Sequence, residues 1–154
     1  MDPDQLLQSL GLALGLPNLR FDGNGCARLA IDGAPALNFE RDGNGAIHLY
    51  SVLGPLPMPD SREAVYTQLL QGNLFGASTA GATLAIDELH GEVVLCRTVV
   101  TEFTSAPAFS TLVETFVDAA ENWQGKLSKS PASNASSASP LAAPPQRMDH
   151  FLRG

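Results

Sequence analysis

The tetrapeptide Asp-Gly-Asn-Gly occurs twice, at 22–25 and 42–45, with Asp32-Gly33 between the two copies. Residues that accept positive φ gather in this way at tight turns joining antiparallel strands. The segments between them alternate with period two. Leu29 and Ile31 share one face of 26–31, Leu37 and Phe39 one face of 36–40, and Ile47, Leu49 and Leu53 one face of 46–53. Three strands in a meander are the expectation. Gly54-Pro55-Leu56-Pro57-Met58-Pro59 should then leave the ladder as a loop, because proline carries no N–H to donate. Both tetrapeptides begin like a calcium loop, but the fifth positions are Cys26 and Ala46 and the twelfth are Gly33 and Leu53. Without those oxygen ligands the turn reading stands alone.

Helical signals flank the strands. Asp2 caps, Pro3 suits the first helical position and Gln5 completes a capping box, with Leu6, Leu7, Leu10 and Leu14 on one stripe and a stop at Gly15 and Pro17. Gly11 should weaken that helix in its middle. Asp60-Ser61-Arg62-Glu63 is a second capping signal, followed by Val65, Tyr66, Leu69 and Leu70 at helical spacing and an end between 72 and 76. Two strands follow: 82–87 with Leu84 and Ile86 on one face, then, after a turn at 88–91, a stretch at 92–103 rich in valine and threonine on both faces. A strand of that kind should be central or covered. A last helix, from 105 or 108 to 124, aligns Phe109, Leu112, Val113, Phe116, Val117, Ala120 and Trp123, with Glu114, Asp118 and Glu121 as its solvated face. The order α-β-β-β-α-β-β-α is α+β: a twisted antiparallel sheet packed by helices.

Charge and composition divide the chain near residue 126. Residues 1–125 hold fifteen acids and five arginines, whereas 126–154 carry Lys126, Lys129, Arg147 and Arg153 against Asp149. An acidic body repels phosphate backbones and excludes nucleic-acid binding through a basic patch. Of the nineteen residues from 128 to 146, fifteen are Ser, Ala or Pro, too few apolar groups to repay the entropy of ordering. The expected organisation is a folded domain at 1–126 and a disordered tail at 127–154. The tail ends in a short amphipathic stretch with Met148, Phe151 and Leu152 at i, i+3 and i+4. The acidic N-terminus and the lack of a spanning apolar run predict a cytoplasmic protein without membrane insertion.

No residue pattern specifies catalysis. Cys26 and Cys96 have no partner at ligand spacing and read as small buried hydrophobes, so no metal is expected. His48, His90 and His150 lie in a strand, a turn and the tail, away from any nucleophile elbow or Glu-x-x-His. Lysine is absent before residue 126, which removes a phosphate loop. Asp60-Ser61 at a helix start has the look of a phosphopantetheine site, but Arg62 stands where leucine is expected and a carrier is all-helical, so capping explains the pair. The expectation is no enzyme, no catalytic residue and no cofactor.

Five stretches in order resemble the class I type III secretion chaperones of the Tir chaperone family. They are Leu6-Leu7 through Gly15-Leu16 with the strand-like Leu19 to Phe21; Leu49-Tyr50-Ser51-Val52-Leu53-Gly54-Pro55-Leu56-Pro57; Leu69-Leu70-Gln71-Gly72-Asn73-Leu74-Phe75; Gly81-Ala82-Thr83-Leu84-Ala85-Ile86-Asp87; and Phe116-Val117-Asp118-Ala119-Ala120-Glu121-Asn122-Trp123. The resemblance spans residues 4–126. It implies a cytoplasmic homodimer in a Gram-negative bacterium, without nucleotide hydrolysis, that holds the N-terminal part of a secreted effector extended and presents it to the secretion machinery and its ATPase. It maps the dimer seam to Val65, Leu69, Leu70, Leu84 and Ile86, and the cargo-binding patches to Leu6, Leu10, Leu29, Ile31, Leu37, Phe39 and Leu49. An acidic surface with apolar grooves suits an extended, basic or apolar chain. Two alternatives remain open from sequence: a dimer that sequesters a regulator of secretion genes, and a small-molecule-binding domain or unrecognised enzyme on the same fold.

Overall fold

A computed structural model describes residues 1–129. The tail from 130 onward, with its expected disorder and apolar end, lies outside the described residues. The elements follow the expected order: α1 (Pro3–Ala13), β1 (Cys26–Leu29), β2 (Leu37–Arg41), β3 (Ala46–Pro55), α2 (Arg62–Gly72), β4 (Thr83–Asp87), β5 (Glu92–Val100) and α3 (Ala106–Ser128). Five antiparallel strands form one sheet in the order β1-β2-β3-β5-β4, so β1 and β4 are its edges. The sheet buries one face beneath the helices, as an α+β fold requires. Phe39, Leu49 and Ile47 meet Phe109, Val113 and Phe116 of α3, and Leu6, Leu7 and Leu10 of α1 complete the same core. The Phe39 and Phe109 rings lie 6.4 Å apart at 55°.

Local chemistry explains the boundaries. Asp2 accepts from the Gln5 N–H at 2.8 Å and the Gln5 side chain accepts from the Asp2 N–H, which closes the expected box. Asp22 accepts from the Asn24 and Cys26 N–H groups and Asp42 from those of Asn44 and Ala46, and Gly25 and Gly45 take φ of +80° and +82°. These backbone donors stabilise the ionised form and hold the pKa of both carboxyls below the ordinary carboxylate value. The two tetrapeptides are turns.

Several boundaries differ from expectation. β1 stops at Leu29, short of Ile31, and β5 stops at Val100, where 101–103 turn into a 3-10 segment ahead of α3. β3 continues to Pro55 in spite of the proline. A bulge between Val52 and Gly54 lets Pro55 pair with Glu92, and β2, whose register begins at Asn38 opposite Tyr50, does not reach that far. The missing proline N–H therefore costs no ladder bond. The Ser61 side chain makes no cap bond, because a 3-10 turn, Pro59–Ser61, runs straight into α2. Leu14 is exposed rather than part of the α1 stripe. Gly11 has a purpose: a β-carbon there would stand 2.6 Å from the Leu16 carbonyl oxygen, so glycine lets the loop after α1 fold back on the helix. α3 extends four residues past Gln124, and Leu127 packs on the core beyond the expected domain end at 126. Neither cysteine is fully buried.

The end of α2 is tied down tightly. The Asn73 side chain donates to the Leu84 carbonyl at 3.0 Å and accepts from its N–H at 2.8 Å, so one amide replaces a strand partner on the β4 edge. Trp123 donates its indole N–H to the Ser78 carbonyl at 2.8 Å, and its ring lies directly against Gly72. Gly72→Ala should therefore destabilise, although alanine normally favours helix. Overpacking against the buried Trp123 ring should cost about 1–3 kcal/mol, read as a fall of several degrees in a circular-dichroism melt. An unchanged or raised melting temperature would show that the contact is slack.

Candidate functional site

Of the seven residues expected to meet cargo, Leu6, Leu10, Leu37, Phe39 and Leu49 have their side chains in the core and offer almost no surface. Their place follows from the pleat. Phe39 pairs with Leu49 and Leu37 with Leu29, all on the helix-covered face. Leu29 and Ile31 differ, because β1 is an edge strand and the helices cover it incompletely; both are half-buried against the core. The structure thus separates this set into an inner group and two residues at the β1 edge.

The five seam residues separate in the same way. Val65 and Leu69 of α2 and Leu84 of β4 are buried in the core, whereas Leu70 is 72% exposed and Ile86 38% exposed. Leu74 and Phe75, not among the expected site residues, extend the exposed group, with Phe75 95% exposed. Phe75 also holds φ +55°, a left-handed conformation that a bulky side chain rarely takes. An aromatic ring 95% exposed on left-handed backbone is an unusual apolar feature. The following Gly76 offered a signal, since turns of positive φ gather near glycine, but nothing in the local pattern separates Phe75 from Leu74.

A second apolar group was also missed. Leu12, Leu14 and Leu16 are exposed at the end of α1 and in the loop after it. Leu12 lies off the Leu6, Leu7 and Leu10 stripe, which is the signal that marks it, whereas Leu14 was expected on that stripe and, like Leu16, falls past the end of the helix at Ala13.

The sheet face away from the helices is open and polar. It forms a shallow concavity of about 590 Å³ with Tyr50, Val52, Val94 and Cys96 on its floor and Arg28 and Glu92 among its charged lining. On this face the His48 ring is held between Asp42 at 3.3 Å and the Thr98 hydroxyl at 3.1 Å. The order Asp, His, Thr has the connectivity of a proton relay, but the imidazole is 44% exposed, with no enclosing wall to exclude water. At the β4–β5 turn, Asp87 accepts from His90 at 2.7 Å and raises that imidazole's pKa. Burial, with Glu40 and Asp22 adding to it, raises the Cys26 thiol, and burial raises that of Cys96. Both are weak nucleophiles at neutral pH. No cluster of three or more His, Cys, Asp or Glu able to hold a metal is present among the described residues. No described helix is long and apolar enough to cross a membrane.

Residues 5–124 match the Tir chaperone protein (CesT) family. A Chlamydia pneumoniae protein is 29% identical over 125 residues, covering 80% of this chain and 95% of that one. Among solved structures, a chain of the HopA1–SchA chaperone–effector complex superposes with a TM-score of 0.65 at 24% identity, over 79% of this chain and 91% of the other. A chain of the heterodimeric ExoU–SpcU complex from the type III secretion system of Pseudomonas aeruginosa gives 0.59 at 24% identity, over 81% and 93%. These superpositions establish a shared fold.

Proposed function

The chain belongs to the Tir chaperone protein (CesT) family, and from that footing we propose that it is a cytoplasmic type III secretion chaperone of a Gram-negative bacterium. As a homodimer it binds the extended N-terminal segment of one or more effectors and delivers it to the export apparatus and its ATPase. The observation that carries the reading is the family match over 5–124, which takes in every element of the fold. The family and the similar structures are those of non-enzymatic chaperones.

Physical chemistry supports two surfaces. β1 is an edge strand with no strand on its outer side, beside the half-buried Leu29 and Ile31. An extended cargo segment can add there as a strand, with main-chain bonds giving affinity and the two side chains giving selectivity. The exposed Leu12, Leu14 and Leu16 supply further apolar coverage, which an unfolded cargo needs because it loses conformational entropy on binding. The opposite edge, with Leu70, Leu74, Phe75 and Ile86, is the dimer seam. Residues 1–129 suffice for both.

The test is isolation of the protein from its native host. A secreted protein should accompany it, held through an N-terminal segment whose removal abolishes capture. Leu29→Asp with Ile31→Asp should leave the protein folded and lower cargo capture at least tenfold, since two charges would stand in a desolvated contact. A deletion strain that exports every effector at normal levels would end the proposal, as would cargo that binds equally well without its N-terminal segment.

A further inference from the structure

An apolar groove opens at the other end of the sheet from the β2–β3 turn, next to the ladder position where Val93 pairs with Ile86. Its volume is about 360 Å³, with Leu53, Val65 and Val93 as a buried floor and Leu56, Met58 and Leu127 among its walls. The wall at 55–59 is built to hold its shape. Three prolines fix its backbone, Leu56 donates its N–H to the Gly91 carbonyl at 2.9 Å, and Arg62 donates to the Pro57 carbonyl at 3.3 Å. Met58, 62% exposed, stands on the rim.

Ser128 also lines the groove, so the chain leaves α3 beside it. From Lys129 the sequence runs eighteen residues rich in Ser, Ala and Pro before Arg147-Met148-Asp149-His150-Phe151-Leu152-Arg153. We propose that residues 147–153 of the same chain occupy this groove, seating Met148, Phe151 and Leu152 against its apolar walls. Charge favours this occupant. Arg147 and Arg153 bracket the apolar residues, while Asp60 and Glu63 follow Met58 and Glu92 pairs with Pro55 across the ladder. Of the bases around the groove, Arg62 donates to the Pro57 carbonyl, Lys126 lies over the Trp123 ring at 4.5 Å from its centre, and Lys129 follows Ser128. Reach favours it too. Eighteen residues can span up to about 60 Å when fully extended, ample for a return to the groove, and tethering supplies an effective concentration in the millimolar range. A contact too weak to form between separate molecules is then well populated within one. Methionine, phenylalanine and leucine at i, i+3 and i+4 match a short anchor with one apolar side. The proposal is independent of which cargo, if any, the protein carries.

The protein contains three methionines, Met1, Met58 and Met148, so methyl-labelled methionine gives a resolved probe on each partner. In the full chain, the Met58 methyl should show a nuclear Overhauser contact to the Phe151 ring. Phe151→Asp with Leu152→Asp should abolish that contact and shift the Met58 resonance without altering the circular dichroism. Met58→Asp should return the Met148 methyl to its random-coil position, and because Met58 is exposed the fold should tolerate it. Identical Met58 resonances in the wild type and the double variant would overturn the proposal. So would a contact that appears only between differently labelled chains in a mixed sample, which would make the occupant a second copy. A Met58 shift that arises only when a cargo segment is added, with no contact from Phe151, would also overturn it.

Discussion

Phe39→Asp should abolish folding outright instead of selectively removing cargo. The Phe39 ring is 1% exposed, tilted against Phe109 and enclosed by the strongest apolar layer of the molecule. Truncating such a ring costs about 3–5 kcal/mol, and an unpaired carboxylate in its place adds a desolvation penalty of several more. A domain of this size has a total stability of about 5–15 kcal/mol, so the variant loses most or all of it. Circular dichroism and proton NMR of the purified variant would show an unfolded or aggregated chain. A folded dimer that has merely lost its cargo would place Phe39 on the surface and contradict the packing described above. Leu29→Asp is the matched control, because Leu29 lies on the same face but at the edge strand, where the side chain keeps access to solvent.

That pair of residues shows what sequence makes legible and what it leaves hidden. Alternation put Leu29 with Ile31, Leu37 with Phe39, and Ile47 with Leu49 each on one face of its own segment, and the register brings Leu29, Leu37, Phe39 and Leu49 to a common face. Period two identifies a face but not a strand's rank in the sheet, and rank decides whether a leucine is buried or half-covered. The order β1-β2-β3-β5-β4 depends on long-range pairing between β3 and β5, which no local pattern encodes. Turn chemistry was readable because it is local. Asp22 and Asp42 bond the N–H groups two and four residues on. The cap at Asp2 was readable for the same reason, whereas the same signal at Ser61 failed because the preceding 3-10 turn already satisfies the helix entrance. Gly11 and Gly72 illustrate the rest. Gly11 looks like a weakness in a helix and Gly72 like a helix stop, and each is a place where another part of the chain, the Leu16 carbonyl or the Trp123 ring, comes too close for a β-carbon.

The exposed group at the β4 edge leads to the second large expected effect. If Leu70, Leu74, Phe75 and Ile86 form the dimer seam, the wild type should sediment at low micromolar concentration at twice the 16.2 kDa chain mass. A stable interface of this kind buries about 1,600 Å² in total, and a central aromatic anchor carries a disproportionate share of its energy. Phe75 is placed to be that anchor, and its backbone makes the test unusually clean. At φ +55° a phenylalanine bears strain of about 1–2 kcal/mol that glycine would not. Phe75→Gly therefore relaxes the single chain while deleting the ring. The monomer should melt no lower than before, yet loss of a hot spot worth about 2 kcal/mol should raise the dimer dissociation constant about thirtyfold. Leu70→Asp should act in the same direction without unfolding the chain, because the side chain is exposed in the monomer, whereas Leu69→Asp, one residue away and buried, should unfold it. Sedimentation equilibrium separates these outcomes. A wild type that remains a single 16.2 kDa species, or a dimer whose dissociation constant is unchanged by both Phe75→Gly and Leu70→Asp, would remove the β4 edge as the seam.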